Sequence, residues 1–445
     1  MKRRGIEATR LATLAAVGAC GVGVASCGAM TSVDLELPTD DDLAVVAGTS
    51  IDASPDGSFK AAADAAPNDA PLDDSVASML PTMALDGGGT TGGEMDGDDE
   101  GSPPSETPAA IAPGFEATCE VTTVGAAWCW GDNTYGELGN GGATPRSLTP
   151  VAVSGLASGV RSIVVGGAFA CALKTTGAVV CWGNNELANG AEIDSNTPIA
   201  VAGLSTGVTA ITAGYDHACA IDADGGAKCW GANSFGQLGN GSTTNSGTPA
   251  EVSGLSSGVV ALAAGGEFTC ALTRAGQVLC WGDNAESQLA NGSTVNSDVP
   301  VAIASLPMDV VAIVAGGSHA CALTSSGLMP CWGAQVQQAI TGLSSGVAAM
   351  AAGQDHTCAL MTSGAVECWG SNEFGQLGND STTDSNPPVG VSGLSSGVAL
   401  IAAGNYDTCA LTVGGAALCW GENDDGQLGD NSTTTSLVPV SVAAP

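Results

Sequence analysis

Seven pairs of cysteines stand ten positions apart along this chain: Cys119 with Cys129, Cys171 with Cys181, Cys219 with Cys229, Cys270 with Cys280, Cys321 with Cys331, Cys358 with Cys368, and Cys409 with Cys419. Paired thiols can ligate zinc, run redox chemistry or cross-link the chain. A zinc site needs four S and N donors brought together, yet each pair offers two thiolates, and only three pairs have a histidine nearby: His217, His319 and His356. A catalytic dithiol has no reason to recur in seven equivalent copies. In CALMTSGAVECWG (residues 358–370), setting Cys358 opposite Cys368 also sets Ala359 opposite Glu367, Leu360 opposite Val366 and Met361 opposite Ala365. Thr362, Ser363 and Gly364 are left as a three-residue turn, with glycine where a positive φ is wanted. Opposed residues of an antiparallel pair lie within reach of a disulfide. The spacing therefore predicts seven intra-hairpin disulfides, each closing a loop worth about 2 to 3 kcal/mol in the chain-entropy picture.

The second cysteine of each pair opens Cys-Trp-Gly, and successive copies are separated by 52, 48, 51, 51, 37 and 51 residues. Such a period is the mark of a repeat architecture. Each unit reads as four short strands, at PVxVxGL, VxxIAAG, xCALT and xVxCWG, separated by Gly, Ser and Asn turn signals. No stretch sustains helical periodicity. The expected fold is all-β: seven four-stranded blades arranged radially as a β-propeller over residues 108–445. The tryptophans are expected to pack between blades. The Asn three places after Trp (Asn133, Asn185, Asn233, Asn284, Asn372, Asn423) reads as a turn residue at positive φ.

The combination of VxxIAAGxxHxCAL with CWGxNxxGQLGNG and a following Pro-Val strand resembles the regulator of chromosome condensation repeat, a family of seven-bladed propellers. GQLG stands at 236–239, 375–378 and 426–429, with GELG at 136–139; repeat two has ELAN (186–189) and repeat four SQLA (287–290). Repeat five lacks the element, which accounts for the short interval. No PVxVxGL strand precedes IAPGFEATC (111–119), so VPVSV (438–442) is expected to close the ring by completing the first blade. The resemblance brings two activities into view, nucleotide exchange on a nuclear GTPase and inhibition of β-lactamases by a secreted member. Fold alone transfers neither.

The chain begins with Lys2, Arg3 and Arg4 ahead of an apolar run from Leu11 to Ser26, the pattern of a secretory signal. VASC ending at Cys27 resembles a bacterial lipobox, with VGAC at Cys20 as the alternative; residues 1–27 are read as signal peptide and lipobox. Residues 28–107 form an acidic Ala/Pro/Asp/Gly-rich linker, read as disordered because its like charges repel and it has little to bury. DGDDEG (Asp96–Gly101) is like the start of a calcium loop, but Thr107 holds the twelfth position and Pro103 and Pro104 deny a flanking helix. No metal or cofactor is expected. The formal charge is −35, of which −21 falls on residues 111–445. Phosphate recognition needs Lys and Arg, so nucleic acid is not an expected partner.

No convergent catalytic cluster is visible. The three histidines share a repeat position with Ala117, Phe169, Phe268 and Asp407, which marks it as a packing site. Arg146, Arg161 and Arg274 stand at non-equivalent positions, unlike the arginine cluster of sialidases, and no Asp-box is present. In an up-and-down blade the turns after AAG share one face with the GQLG loops, while GLSSG and TSSG turns share the other. The second set barely changes between repeats. The first set varies, carrying Phe115, Tyr215, Glu267, Asp355 and Tyr406, and these five are the candidate partner-binding residues. The expectation is a monomeric, non-catalytic binding module on the cell envelope, held by a lipid anchor or else secreted, and recognising a protein with a basic surface. An inert envelope spacer is the alternative; an enzyme or exchange factor is weaker still. Radiolabelled palmitate is expected to enter the protein and to be lost in Cys27→Ala; labelling that follows Cys20 instead would move the processing site.

Overall fold

The computed structural model describes residues 107–184, 194–334, 343 and 345–444. Cys20, Cys27 and linker residues 28–106 lie outside them, as does Asn185. Seven antiparallel sheets follow one another along the chain, each with its strands in sequence order. Six have four strands, and the fifth has three among the described residues. Blade 1 comprises Pro108–Pro113, Ala117–Thr122, Ala127–Asp132 and Arg146–Ala152. The first strand of every blade lies nearest the axis. The Pro-Val strand is outermost, pairing with its own Cys-Trp-Gly strand, as in Cys129↔Val151 and Cys419↔Val440.

That order corrects the expected ring closure. Blade 1 already owns an outer strand, and Ser436–Ser441 completes blade 7 instead. The reason is register: the loop after Cys-Trp-Gly turns the chain back onto the strand it has just left. The ring closes through a contact that all seven junctions share. The amide after each AAG-type glycine donates to the corresponding turn of the next blade: Phe115 to Gly166, Gly167 to Tyr215, Tyr215 to Gly266, Gly266 to Gly316 and Gly317, Gly317 to Gly353 and Gln354, Gln354 to Asn405, and Asn405 back to Gly114, at 2.8–3.3 Å. The circuit has no end.

Glycine is required there by space. A Cβ on Gly114, Gly166, Gly214, Gly265, Gly316, Gly353 or Gly404 would fall 2.2–2.9 Å from the carbonyl oxygen of the equivalent glycine in the next blade. The GQLG glycines are needed for conformation as well: Gly239, at φ +65°, lies against the indole of Trp281. In the altered fourth repeat, Ser287 and Ala290 keep the left-handed backbone, at φ 65° and 43°, without glycine.

The core lies between blades, in seven apolar clusters that each join two neighbours, such as Ile111 and Trp130 of blade 1 with Leu411 and Leu428 of blade 7. All seven expected disulfides form. Cys119 is bonded to Cys129, Cys171 to Cys181, Cys219 to Cys229, Cys270 to Cys280, Cys321 to Cys331, Cys358 to Cys368 and Cys409 to Cys419. In every case the two residues are directly opposed in the hairpin register. Thirteen of the fourteen half-cystines are buried in these clusters, so they fill core volume as well as cross-linking. Cys331, in the three-stranded fifth sheet, is the half-buried one. The tryptophans bolt neighbours together: the indole N–H of Trp130 donates to Gln427 O, Trp182 to Glu137 O, Trp281 to Gln237 O, Trp332 to Gln288 O and Trp420 to Gln376 O, at 2.6–2.9 Å.

The Asn after Cys-Trp-Gly does not sit at positive φ. Asn233 is fully buried; its Oδ1 accepts from Leu238 N at 2.9 Å and its Nδ2 donates to the carbonyls of Ser242 and Thr244 at 2.8 and 3.0 Å. Asn284, Asn372 and Asn423 do the same, and Asn133 accepts from Leu138 N and donates to the carbonyl of Thr144. A long loop has many backbone groups to satisfy, and a buried amide spans it. The glycine ring predicts a sharp contrast. Gly214→Ala is expected to cost about 1 to 3 kcal/mol through overpacking, whereas Gly390→Ala, whose Cβ would meet nothing within 4 Å, stays within about 0.5 kcal/mol of the parent. Urea denaturation of both variants measures it.

Candidate functional site

The turns after AAG and the loops after Cys-Trp-Gly come out at the same end of every blade, and their backbones are tied together there, as in Asp132 N donating to Glu116 O at 2.8 Å. The GLSSG links and TSSG turns meet at the other end, where Val160 N donates to Gly125 O at 3.0 Å. Charge divides between the two ends. Of the five described bases, Lys174 and Arg274 lie at turns of the GLSSG end, and Arg161 and Lys228 begin strands there. Arg146 is the one described base at the loop end. The same end carries Glu116, Asp132, Glu137, Glu267, Asp283, Asp355, Glu373, Glu422, Asp424 and Asp425.

The five candidate residues do not form one cluster. All are partly exposed. Phe115 and Tyr215 occupy the first turn position in blades 1 and 3 and meet edge to face across blade 2, with ring centroids 5.7 Å apart. Blade 2 permits this by having Gly167 at that position: a Cβ there would come within 2.8 Å of the Tyr215 ring. Glu267 occupies the second turn position of blade 4 and accepts a hydrogen bond from the side-chain amide of Gln237 in blade 3. Tyr406 holds the same position in blade 7 and lies against Phe374, centroids 4.9 Å apart. Burial raises the Tyr406 phenol, and the Asp355 carboxylate adds to it.

Sequence reasoning missed the second aromatic rank. Tyr135, Phe235 and Phe374 each stand immediately before GELG or GQLG, and the first two are 45% and 38% exposed. The recurrence of an aromatic at one repeat position was the available signal. It also missed Glu116, Glu137 and Glu422, whose carboxyls are pushed up to about 7, and the extent to which Glu267 is raised, to about 8. Burial is the main cause in each, and neighbouring carboxylates add to it. Asp407 is raised well above the usual range for the same two reasons.

The three histidines bridge neighbouring blades. Nε2 of His217, His319 and His356 hydrogen-bonds the hydroxyl of Thr269, Thr357 and Thr408 in the following blade at 2.8–2.9 Å. Burial lowers them to about 3, 4 and 3, so they are neutral struts at ordinary pH. Among the described residues no group of three or more His, Cys, Asp or Glu could hold a metal.

A sequence profile described as the regulator of chromosome condensation (RCC1) repeat matches residues 125–173, 224–272, 275–323, 363–411 and 414–445, and a second profile of that description matches 160–189, 208–237, 259–288, 347–376 and 398–427. Human E3 ubiquitin-protein ligase HERC2 is 31% identical over 217 residues, covering 46% of this chain and 4% of that protein. The mitochondrial RCC1 domain-containing protein RUG3 of Arabidopsis thaliana is 28% identical over 198 residues, 43% of this chain and 36% of its own. The chain thus spans a minor part of these relatives. Yeast RCC1 (Prp20), solved bound to Kap60, aligns over 75% of this chain and 74% of its own, at 20% identity and a TM-score of 0.46.

The raised carboxyls set the direction of pH dependence. A carboxyl whose folded value lies above its unfolded one stabilises the fold fully below the unfolded value, and the contribution is lost as pH rises through the folded value. For Glu116, Glu137, Glu267 and Glu422 that loss begins above 4.5 and runs through about 7 to 8. The melting temperature is expected to fall between pH 5 and pH 8.5, with a shallower fall in Glu267→Gln. A melting temperature that rises over this range contradicts the assignment.

Proposed function

Since this chain belongs to the regulator of chromosome condensation (RCC1) repeat family, we propose that its propeller is a non-catalytic protein-binding module working through the loop end of the ring, and that the partner presents a basic surface. The observation that carries this reading is the segregation of side chains: carboxylates and half-exposed aromatics gather at one end, four of the five described bases at the other. Aromatic side chains supply much of the energy of protein interfaces. A one-signed field raises the encounter rate of an oppositely charged partner and selects against others. The turns at that end differ from blade to blade, as recognition of an asymmetric partner requires.

Seven disulfides belong to an oxidising compartment. With the N-terminal signal pattern and the lipobox at Cys27, or Cys20, they support an exported protein displayed on its acidic linker. The exchange-factor and ligase activities of similar proteins are not carried over, because the likeness lies in the repeats and fold alone. An inert spacer would not need aromatics at the acidic end.

The test begins with capture of a partner from envelope extracts on the full chain. Tyr215→Ala combined with Tyr406→Ala is expected to weaken its binding by more than about 1 kcal/mol, while Ser256→Ala and Ser395→Ala, in the GLSSG links, leave it unchanged. Association is expected to slow as salt rises. Equal losses from both ends, or losses from the link variants alone, would sink the reading.

A further inference from the structure

One junction of the loop face already holds a guanidinium. Arg146, at the start of the outer strand of blade 1, donates from one terminal nitrogen to Asp424 O at 2.8 Å and lies 3.6 Å from the Asp425 carboxylate of blade 7. Asp424 and Asp425 immediately precede Gly426 of GQLG. Their counterparts in blade 6 are Glu373 and Phe374, before Gly375. The strand that passes this blade 6 loop belongs to blade 7, and its register is set by glycine contacts: a Cβ on Gly426 would strike Leu148, and one on Gly375 would strike Leu437. Leu148 therefore corresponds to Leu437 and Arg146 to Thr435. At the junction of blades 6 and 7, threonine stands where the neighbouring junction has arginine.

A second feature of this junction points the same way. In each intact loop the glutamine folds back so that its Oε1 accepts from the backbone N two residues earlier: Gln237 from Phe235, Gln376 from Phe374 and Gln427 from Asp425, all at 3.0 Å. This clamp leaves Nε2 facing the next blade. Gln237 there donates to the Glu267 carboxylate. Gln376 is fully buried and clamped alike, but the residue equivalent to Glu267 is Tyr406, and its Nε2 has no hydrogen-bond partner. Buried donors of this kind are seldom left unpaired. Beside it stand the Phe374 and Tyr406 rings, tilted by 32°, with Asp355, Glu422 and Glu373 near enough to act on the Tyr406 phenol.

We propose that the junction of blades 6 and 7 is the anchor site of the partner interface, where an arginine side chain of the partner lies on Phe374 and Tyr406 between Asp355, Glu373 and Glu422. Gln376 Nε2, buried in the free protein, reaches the partner's backbone carbonyl once the side chains over it shift to admit the guanidinium. A guanidinium suits this site better than an ammonium ion: it stacks flat on aromatic rings and spreads its N–H groups toward several carboxylates. The inference rests on the protein-binding reading of this face, and it names the group recognised there.

The chain has three tyrosines, Tyr135, Tyr215 and Tyr406, so ring-labelled tyrosine in the full chain gives three NMR probes spread over the face. Titration with tetra-arginine is expected to move the Tyr406 signal saturably, at least about fivefold more tightly than tetra-lysine. Phe374→Leu and Glu373→Gln should each weaken the peptide by about fivefold. Thr435→Arg, which imports the guanidinium of the neighbouring junction, should abolish the Tyr406 response without loss of the fold. Equal shifts at all three tyrosines, equal affinity for the lysine peptide, or indifference to Phe374→Leu and Thr435→Arg would each overturn the anchor. A response confined to Tyr135 or Tyr215 overturns the anchor while leaving the face as the interface. A captured partner insensitive to the Tyr215 and Tyr406 substitutions removes the face itself.

Discussion

Around the axis, seven amides each donate to the turn of the next blade, and beside each one a glycine lies against the carbonyl of the next glycine. This circuit sets the distance between neighbouring blades, and the other contacts follow from that distance. Trp130 reaches the carbonyl of Gln427, His356 reaches Thr408, and the seven apolar clusters close because the inner strands are held at glycine separation. One added methyl group on the ring would open a junction, and a closed ring has no free end to absorb the displacement.

The disulfides solve a different problem. The chain is poor in aromatic residues, 4% of the total, and its core is largely Ala, Val and Leu. A cystine at the centre of each hairpin supplies buried volume where a larger side chain would otherwise be needed, and it narrows the unfolded ensemble as well. Because strands and cross-links carry stability, the loops at one end can differ. In the loops described for blades 1, 3, 4, 6 and 7 the clamped side chains hold the same backbone pattern whatever the exposed residues are, so substitution at the turn and pre-GQLG positions changes surface chemistry without changing geometry. Blade 4 shows how far this goes: Ser287 and Ala290 adopt the glycine conformation, and the loop survives.

The acidic face has an energetic cost of its own. Glu116, Glu267 and Glu422 lie partly buried among like charges, which weakens the fold as they ionise. Among the described residues, Arg146 offsets the crowding at Asp425. A cationic partner of the proposed kind would relieve it elsewhere, so the carboxylates that strain the isolated protein would favour such a complex.

Period and pairing were legible in the chain itself. Cysteines ten apart, Cys-Trp-Gly every fifty or so residues and glycine-bounded apolar runs are local signals, and they determined seven blades, the hairpin register and all seven cross-links. Which loops share an end also followed, since alternation along an up-and-down sheet is local. What needed tertiary structure was every choice between two equally local pairings, and every contact between blades. The strand at 436–441 could have joined the first blade or the last, and only the backbone path of the GQLG loop decides for the last. Asn233 looks the same in a sequence whether it turns the chain or clamps it from inside. Tyr406 and Phe374 lie dozens of residues apart and meet because successive blades pack, while Arg146 and Asp425 lie hundreds apart and meet because the ring closes. Their spacing in the chain carries no trace of that contact, because the distance between them is set by the glycine circuit at the axis.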